Sequence, residues 1–227
     1  LKKDVLKELP PKEEYVRKIS LSEDEQKLYY ACVQAAVANL GDEQGKLQIL
    51  AALTRLRQVC CDPGLCFENY EGSTSKLDAC VELCEAMVEN GHQILLFSQF
   101  TSMLDRLRER LDALHISNFT LQGSTPKEKR AAMVKAFNAG SASVFLISLK
   151  AGGMGLNLTA ADIVIHYDPW WNQAAQNQAT DRAHRIGQQA HVQVYKLIAK
   201  DTIEERILEL QSRKLALLDT ISGLSLI

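Results

Sequence analysis

Arg182 and Arg185 stand three residues apart in the segment Asn177-Gln178-Ala179-Thr180-Asp181-Arg182-Ala183-His184-Arg185-Ile186-Gly187-Gln188. On a helix that spacing projects both guanidinium groups from one face, and two rigid five-donor forks suit a polyphosphate better than a single carboxylate. A solvated helix face with Asp181 as counter-charge accounts for the same spacing equally well. His184 reads as a packing or hydrogen-bonding residue, since no Ser or Cys nucleophile lies beside it.

Upstream, Ser148-Leu149-Lys150-Ala151-Gly152-Gly153-Met154-Gly155-Leu156-Asn157-Leu158-Thr159 carries three glycines in four positions. Glycines there let backbone N–H groups approach a phosphate or another backbone closely. The loop is neither a Walker loop, because no Gly-Lys-Ser/Thr follows, nor a dinucleotide fingerprint, which requires a helix directly after its glycines. Trp170 and Trp171 follow Asp168-Pro169; both are candidate core anchors, or one of them is an exposed face for a nucleic-acid backbone. Lys127, Lys129 and Arg130 cluster after Gly123-Ser124-Thr125, either as a phosphate contact at a helix start or as a solvated basic face.

A missing part matters more. The chain has no Gly-x4-Gly-Lys-Ser/Thr loop and no Asp-Glu-x-x pair following a strand, so nothing in it holds the β-phosphate and magnesium of a nucleotide. On its own the chain is expected not to hydrolyse ATP. An arginine pair without a phosphate loop fits a domain that supplies arginine fingers across an interface to a nucleotide held elsewhere.

The elements that position these residues follow from hydropathy. Nearly continuous apolar runs predict strands at Ile94-Ser98, Phe119-Gln122, Val144-Ser148, Ile163-Tyr167 and Val192-Ile198, with helices near 75–90, 101–114, 126–139 and 172–184. Helical crossovers between buried strands imply parallel pairing and a doubly wound α/β domain, whose ligands gather at the strands' carboxyl ends. Thr125, Pro126 and Glu128 read as the cap, first turn and capping-box partner of the helix after Gly123. Residues 1 to about 70 read as helical and strand-poor. Ser22 and Glu25 form a capping box for a helix through Leu28, Tyr29, Val33, Ala36 and Leu40 to Gly41, and a second helix carries Leu47, Leu50, Leu53, Leu56 and Val59 to Asp62-Pro63-Gly64. The tail from Asp201 reads as one amphipathic helix with Ile203, Ile207, Leu210, Leu215 and Leu218 on or near one stripe, packed on the sheet's flank.

The 227 residues carry 26 Lys+Arg against 28 Asp+Glu, a net charge of -2, which excludes both a globally basic nucleic-acid sponge and an acidic tail. Apolar runs of four to six residues encode no membrane span. Leu1-Lys2-Lys3-Asp4 begins without Met or a signal-type region, so the chain reads as a piece of a longer polypeptide. The six cysteines point to a reducing, intracellular setting; Cys61, Cys66, Cys80 and Cys84 as a zinc set are disfavoured against plain buried thiols.

Leu56-Arg57-Gln58-Val59-Cys60-Cys61-Asp62-Pro63, Ile94-Leu95-Leu96-Phe97-Ser98-Gln99-Phe100, Leu121-Gln122-Gly123-Ser124-Thr125, the glycine loop at 148–159 and Gln178 to Gln188 resemble, in order, the second motor lobe of the Swi/Snf-type remodelling ATPases of helicase superfamily two. The resemblance covers almost the whole chain. It implies a RecA-like doubly wound parallel sheet at 73–199, an N-terminal connection and helical hairpin insertion at 1–72, and a C-terminal bracing helix at 200–227. It further implies a motor that moves along double-stranded DNA with ATP and Mg2+ held mainly by an N-terminal ATPase lobe of the same polypeptide, acting on a DNA-bound protein substrate. Arg182 and Arg185 match the sixth helicase motif together with Gln178, and Gly153, Gly155 and Asn157 match the fifth. Ser98, Gln99, Gly123, Ser124 and Lys150 fall in motifs lining the DNA path, and Trp171, as the candidate exposed stacking face, is placed with them from its chemistry; no metal ligand is implied. The rival expectations are a catalytically silent binding module and a strand-separating helicase lobe.

Overall fold

The computed structural model describes residues 11–38, 46–152, 155–185 and 187–224. Its centre is a six-stranded, all-parallel sheet built from β1 (Lys12–Ile19), β2 (Ile94–Ser98), β3 (Asn118–Leu121), β4 (Val144–Ser148), β5 (Ile163–His166) and β6 (Val192–Ala199), in the order β1-β6-β5-β2-β4-β3. Parallel strands need crossovers, and the chain supplies them as α3 (Ser75–Glu89), α4 (Thr101–Ala113), α5 (Lys127–Asn138), α6 (Leu149–Gly152) and α7 (Gln173–Thr180). α1 (Glu23–Ala38), α2 (Lys46–Cys61) and α8 (Ile203–Leu224) lie outside that alternation.

β2 and β4 are buried at every position, as strands covered on both faces must be. Their period of two divides the core. Ile94, Leu96, Val144 and Leu146 face Leu77, Cys80 and Cys84 of α3 and Met103, Leu104, Leu107 and Leu111 of α4. Leu95, Phe97, Phe145 and Ile147 face Phe137 of α5, Ala179 of α7 and the loop residues Leu156 and Leu158. Each such fully buried side chain contributes roughly 1.5–3 kcal/mol, so the two layers hold the sheet rigid and its carboxyl-end loops in place. No helix among the described residues is long and apolar enough to cross a membrane.

β1 corrects the expectation of a strand-poor N-terminal region. It pairs with β6 over its whole length, from Lys12↔Val192 to Ile19↔Ala199, and its Tyr15 ring stacks on Tyr195 with centroids 5.2 Å apart. Seven of its eight residues are exposed, because it is the sheet's edge, and its charged sequence Lys-Glu-Glu-Tyr-Val-Arg-Lys-Ile suits an edge that must not pair with other chains.

The capping box at the start of α1 forms as expected: Ser22 N donates to Glu25 Oε2 at 2.8 Å and Glu25 N to Ser22 Oγ at 3.3 Å. Glu25 Oε1 also accepts from Ser75 N at 2.9 Å, which ties the first turn of α1 to that of α3. Leu40 and Gly41, expected to end this helix, lie outside the described residues. Leu56, Val59 and Cys60 of α2 pack with Tyr29 and Cys32 of α1 against Ala199, while Leu47 and Leu50, expected on the same apolar stripe, are exposed.

Two local expectations are corrected. α5 begins at Lys127 after Pro126 with no side-chain cap; Thr125 Oγ1 instead accepts from Gln122 N at 3.0 Å, so it closes the turn before the helix. On α8, Ile207 and Gln211 are buried and Leu210 is exposed, so the inward stripe carries a polar residue; the side chains of Leu215 and Leu218 lie outside the described residues. All six cysteines are free. Burial raises the thiols of Cys60, Cys61 and Cys80, and no group of three or more metal-ligating side chains among the described residues could hold an ion.

Candidate phosphate and nucleic-acid site

The candidate residues among those described lie at the carboxyl ends of the parallel strands or on the elements that follow them, where open α/β sheets bind ligands. Two groups form, one around α7 and one around the loops after β2, β3, β4 and β5.

α7 is capped by Asn172, whose side chain accepts from Ala174 N at 3.1 Å and Ala175 N at 3.4 Å, and it presents Gln178 to solvent. The helix ends at Thr180, four residues before its expected end, so Arg182 and Arg185 sit on a turn and not on a helix face. Past Thr180, Arg182 N and Ala183 N bond Ala179 O and Thr180 O three residues earlier, and Arg182 O takes the N–H of Leu158, beyond the loop's glycines, at 3.1 Å.

That bond brings the glycine loop and the arginine turn together. Arg185 Nη1 reaches Leu156 O at 3.5 Å, and Asn138 Nδ2 of α5 donates to Asn157 O at 2.8 Å, holding the loop from its other side. Gly155, with φ +70°, adopts the left-handed region that favours glycine and is exposed, as is Asn157. Gly153 lies outside the described residues. Arg182 is half-buried and Arg185 exposed; burial and, next, the charge of Arg185 lower the Arg182 guanidinium below its ordinary range, with Asp181 partly offsetting both. Two like charges held side by side at a surface favour a multiply charged anion, and the donor set fits phosphate oxygens.

The second group departs from expectation at Ser98. Its side chain has no exposure and donates Oγ–H to Asp168 Oδ1 at 2.6 Å, so it positions a neighbour and does not face a ligand. Gln99 Nε2 donates to Asp168 Oδ2 at 2.7 Å and to Pro169 O at 3.1 Å. Burial pushes the Asp168 carboxyl above the usual carboxylate range, and the Ser98 bond with the charges of Lys76 and Arg57 pulls it back. In the sequence Asp168 stands out only as the residue before Pro169, and nothing there marks it as the acceptor for Ser98 and Gln99.

Gly123 and Ser124 are exposed on a turn closed by Thr125, whose carbonyl accepts Arg130 Nη2 at 2.8 Å. Arg130 therefore supports the turn, and Lys127 and Lys129 remain exposed. Lys150 is exposed on α6, a single turn after β4 whose Ala151 N bonds Ser148 Oγ at 3.3 Å. The two tryptophans divide as one of the two readings had it: Trp170 packs on the α5 and α7 side of the core, and Trp171 is 38% exposed.

Residues 75–187 match the helicase conserved C-terminal domain and residues 1–65 the SNF2-related domain. Fold and site thus define the chain as a helicase-type C-terminal lobe. An uncharacterized ATP-dependent helicase of Mycoplasma pneumoniae is 41% identical over 94% of this chain and 21% of its own length. The Sulfolobus solfataricus SWI2/SNF2 ATPase C-terminal domain is 29% identical with a TM-score of 0.76, covering 92% of this chain and 89% of that one. The SWI2/SNF2 ATPase core of the same organism, solved in complex with dsDNA, is 30% identical with a TM-score of 0.78 over 95% of this chain and 47% of that one. The chain belongs to the Swi/Snf family of ATPases, as its C-terminal helicase lobe. It spans about a fifth of the length of the curated relatives it matches.

Proposed function

We propose that this chain is the second lobe of an intracellular, ATP-dependent translocase on double-stranded DNA, which displaces or remodels a DNA-bound protein. Nucleotide and Mg2+ belong mainly to the N-terminal ATPase lobe of the same polypeptide; Arg182 and Arg185 of this lobe face the γ-phosphate and stabilise the charge that develops there on transfer to water. Gln178, Gly155 and Asn157 line the same cleft, to which Gly153 is assigned from its place in the sequence motif. Gln99, Gly123, Ser124, Lys150 and Trp171 lie along the duplex, contacting its backbone without reading sequence. Ser98 acts from behind, through Asp168.

The observation that carries this reading is the tie between the arginine turn and the glycine loop through Leu158 N to Arg182 O, which leaves Arg185 at the surface, available to a second lobe. The neighbour solved with dsDNA supports the duplex as ligand. The test is ATP turnover with and without duplex DNA, by the two lobes joined and by this chain alone. Duplex-stimulated turnover by the joined lobes and none by this chain is expected; turnover by this chain alone, or joined lobes indifferent to duplex, contradicts the reading.

A further inference from the structure

The loop between β5 and α7 is gripped from the helical hairpin as well as from the sheet. Arg57 of α2 is 5% exposed and donates Nη2–H to Pro169 O at 3.0 Å, 112 residues away. Its Nη2 also lies 3.6 Å from Asp168 Oδ2. Its Cζ sits 5.4 Å from the Phe100 ring centroid and 6.0 Å from that of Trp171, while its buried Nε has no hydrogen-bond partner. One nitrogen of this guanidinium is thus buried without a hydrogen bond while another bonds Pro169 O, and the group lies within cation–π distance of two aromatic rings.

We propose that Arg57 is a positioning residue: it clasps the indole of Trp171 in its outward orientation and so couples the helical hairpin to the DNA-facing loop. The proposal rests, for its consequence on DNA, on the assignment of Trp171 to the duplex path. Trp170 anchors the backbone in the core on one side and the Asn172 cap fixes it on the other, so the side-chain angles of Trp171 are what Arg57 decides. Arginine suits the task because its planar fork stacks on a ring while still donating in its own plane to Pro169 O; a lysine ammonium is a point charge and does one or the other.

The chain contains two tryptophans, so Trp170→Phe leaves Trp171 as the sole indole reporter. In that background, acrylamide quenching of Trp171 without DNA is expected to rise about twofold or more on Arg57→Met, and by less on Arg57→Lys, as the ring loses its cationic face. Melting temperatures measured alongside separate this from general loosening; if Arg57→Met does not fold, Arg57→Lys alone decides. Quenching unchanged in a folded variant overturns the proposal. Duplex affinity supplies the second arm: Arg57→Met and Trp171→Ala each lower it about tenfold, the scale of one aromatic contact, and the double variant loses no more than either alone. Fully additive losses overturn the coupling. Should Trp171→Ala leave duplex affinity intact, the DNA assignment of Trp171 and the coupling both fall, and the quenching arm still decides whether Arg57 holds the ring.

Discussion

Lys76 of α3 and Glu204 in the first turn of α8 form a fully buried ion pair, with Nζ 2.7 Å from Oε1 and 2.6 Å from Oε2. The pair is supported from all sides: Glu204 Oε2 accepts from Ala199 N at 2.7 Å, and Lys76 Nζ lies 5.0 Å from the Tyr167 ring, whose hydroxyl donates to Cys61 O at 2.7 Å. Burial works against the charged Lys76, but the Glu204 carboxylate together with the electrostatic pull of Cys61 and Asp168 outweighs it and raises the ammonium above its ordinary value. The pair and the tyrosine beside it thus join α8, the sheet's end and the last residue of α2.

Removing one partner strands a buried charge. Glu204→Ala is expected to cost about 3–5 kcal/mol, while the apolar pair Lys76→Met with Glu204→Leu recovers most of it. Chemical denaturation of the three proteins checks this; a single variant as stable as the parent contradicts it.

His166 gives the fold a pH dependence. It is fully buried, its Nε2 is 2.8 Å from Thr180 Oγ1, and burial lowers its value from 6.5 to about 3. Because the folded state resists the proton that the unfolded chain accepts, this contribution is whole above about 6.5 and is lost as pH falls toward about 3. His166→Gln is expected to flatten the stability profile across that window in equilibrium denaturation; an equally steep profile removes His166 as its source.

Much of this architecture is legible in sequence because buried parallel strands announce themselves. The bounds of Ile94–Ser98 and Val144–Ser148 follow from apolar runs with no polar interruption. β1 shows only as a short alternating stretch at Tyr15-Val16-Arg17-Lys18-Ile19, since an edge strand is selected for charge and has no apolar run. At the site, the arginines and the glycine loop are visible as residue types, but their meeting rests on the bond from Leu158 N to Arg182 O, which no spacing encodes. Arg57 and Glu204 were invisible as partners for the same reason: they act 112 and 128 residues away.

Lys150, exposed on the single turn after β4, is expected to meet one phosphate of the duplex. Lys150→Ala should weaken duplex affinity and reduce the slope of log affinity against log salt by about one. Titrations at several salt concentrations check this, and an unchanged slope takes Lys150 off the DNA path.

The role of the arginine turn is tested most directly by Arg185→Ala in the two-lobe protein, with ATP turnover on saturating duplex and duplex affinity measured on the same preparation. Turnover lowered about a thousandfold or more with duplex affinity retained is the predicted result, since a charge-stabilising arginine acts on the transition state and not on the DNA. Turnover equal to that of the unaltered protein contradicts it.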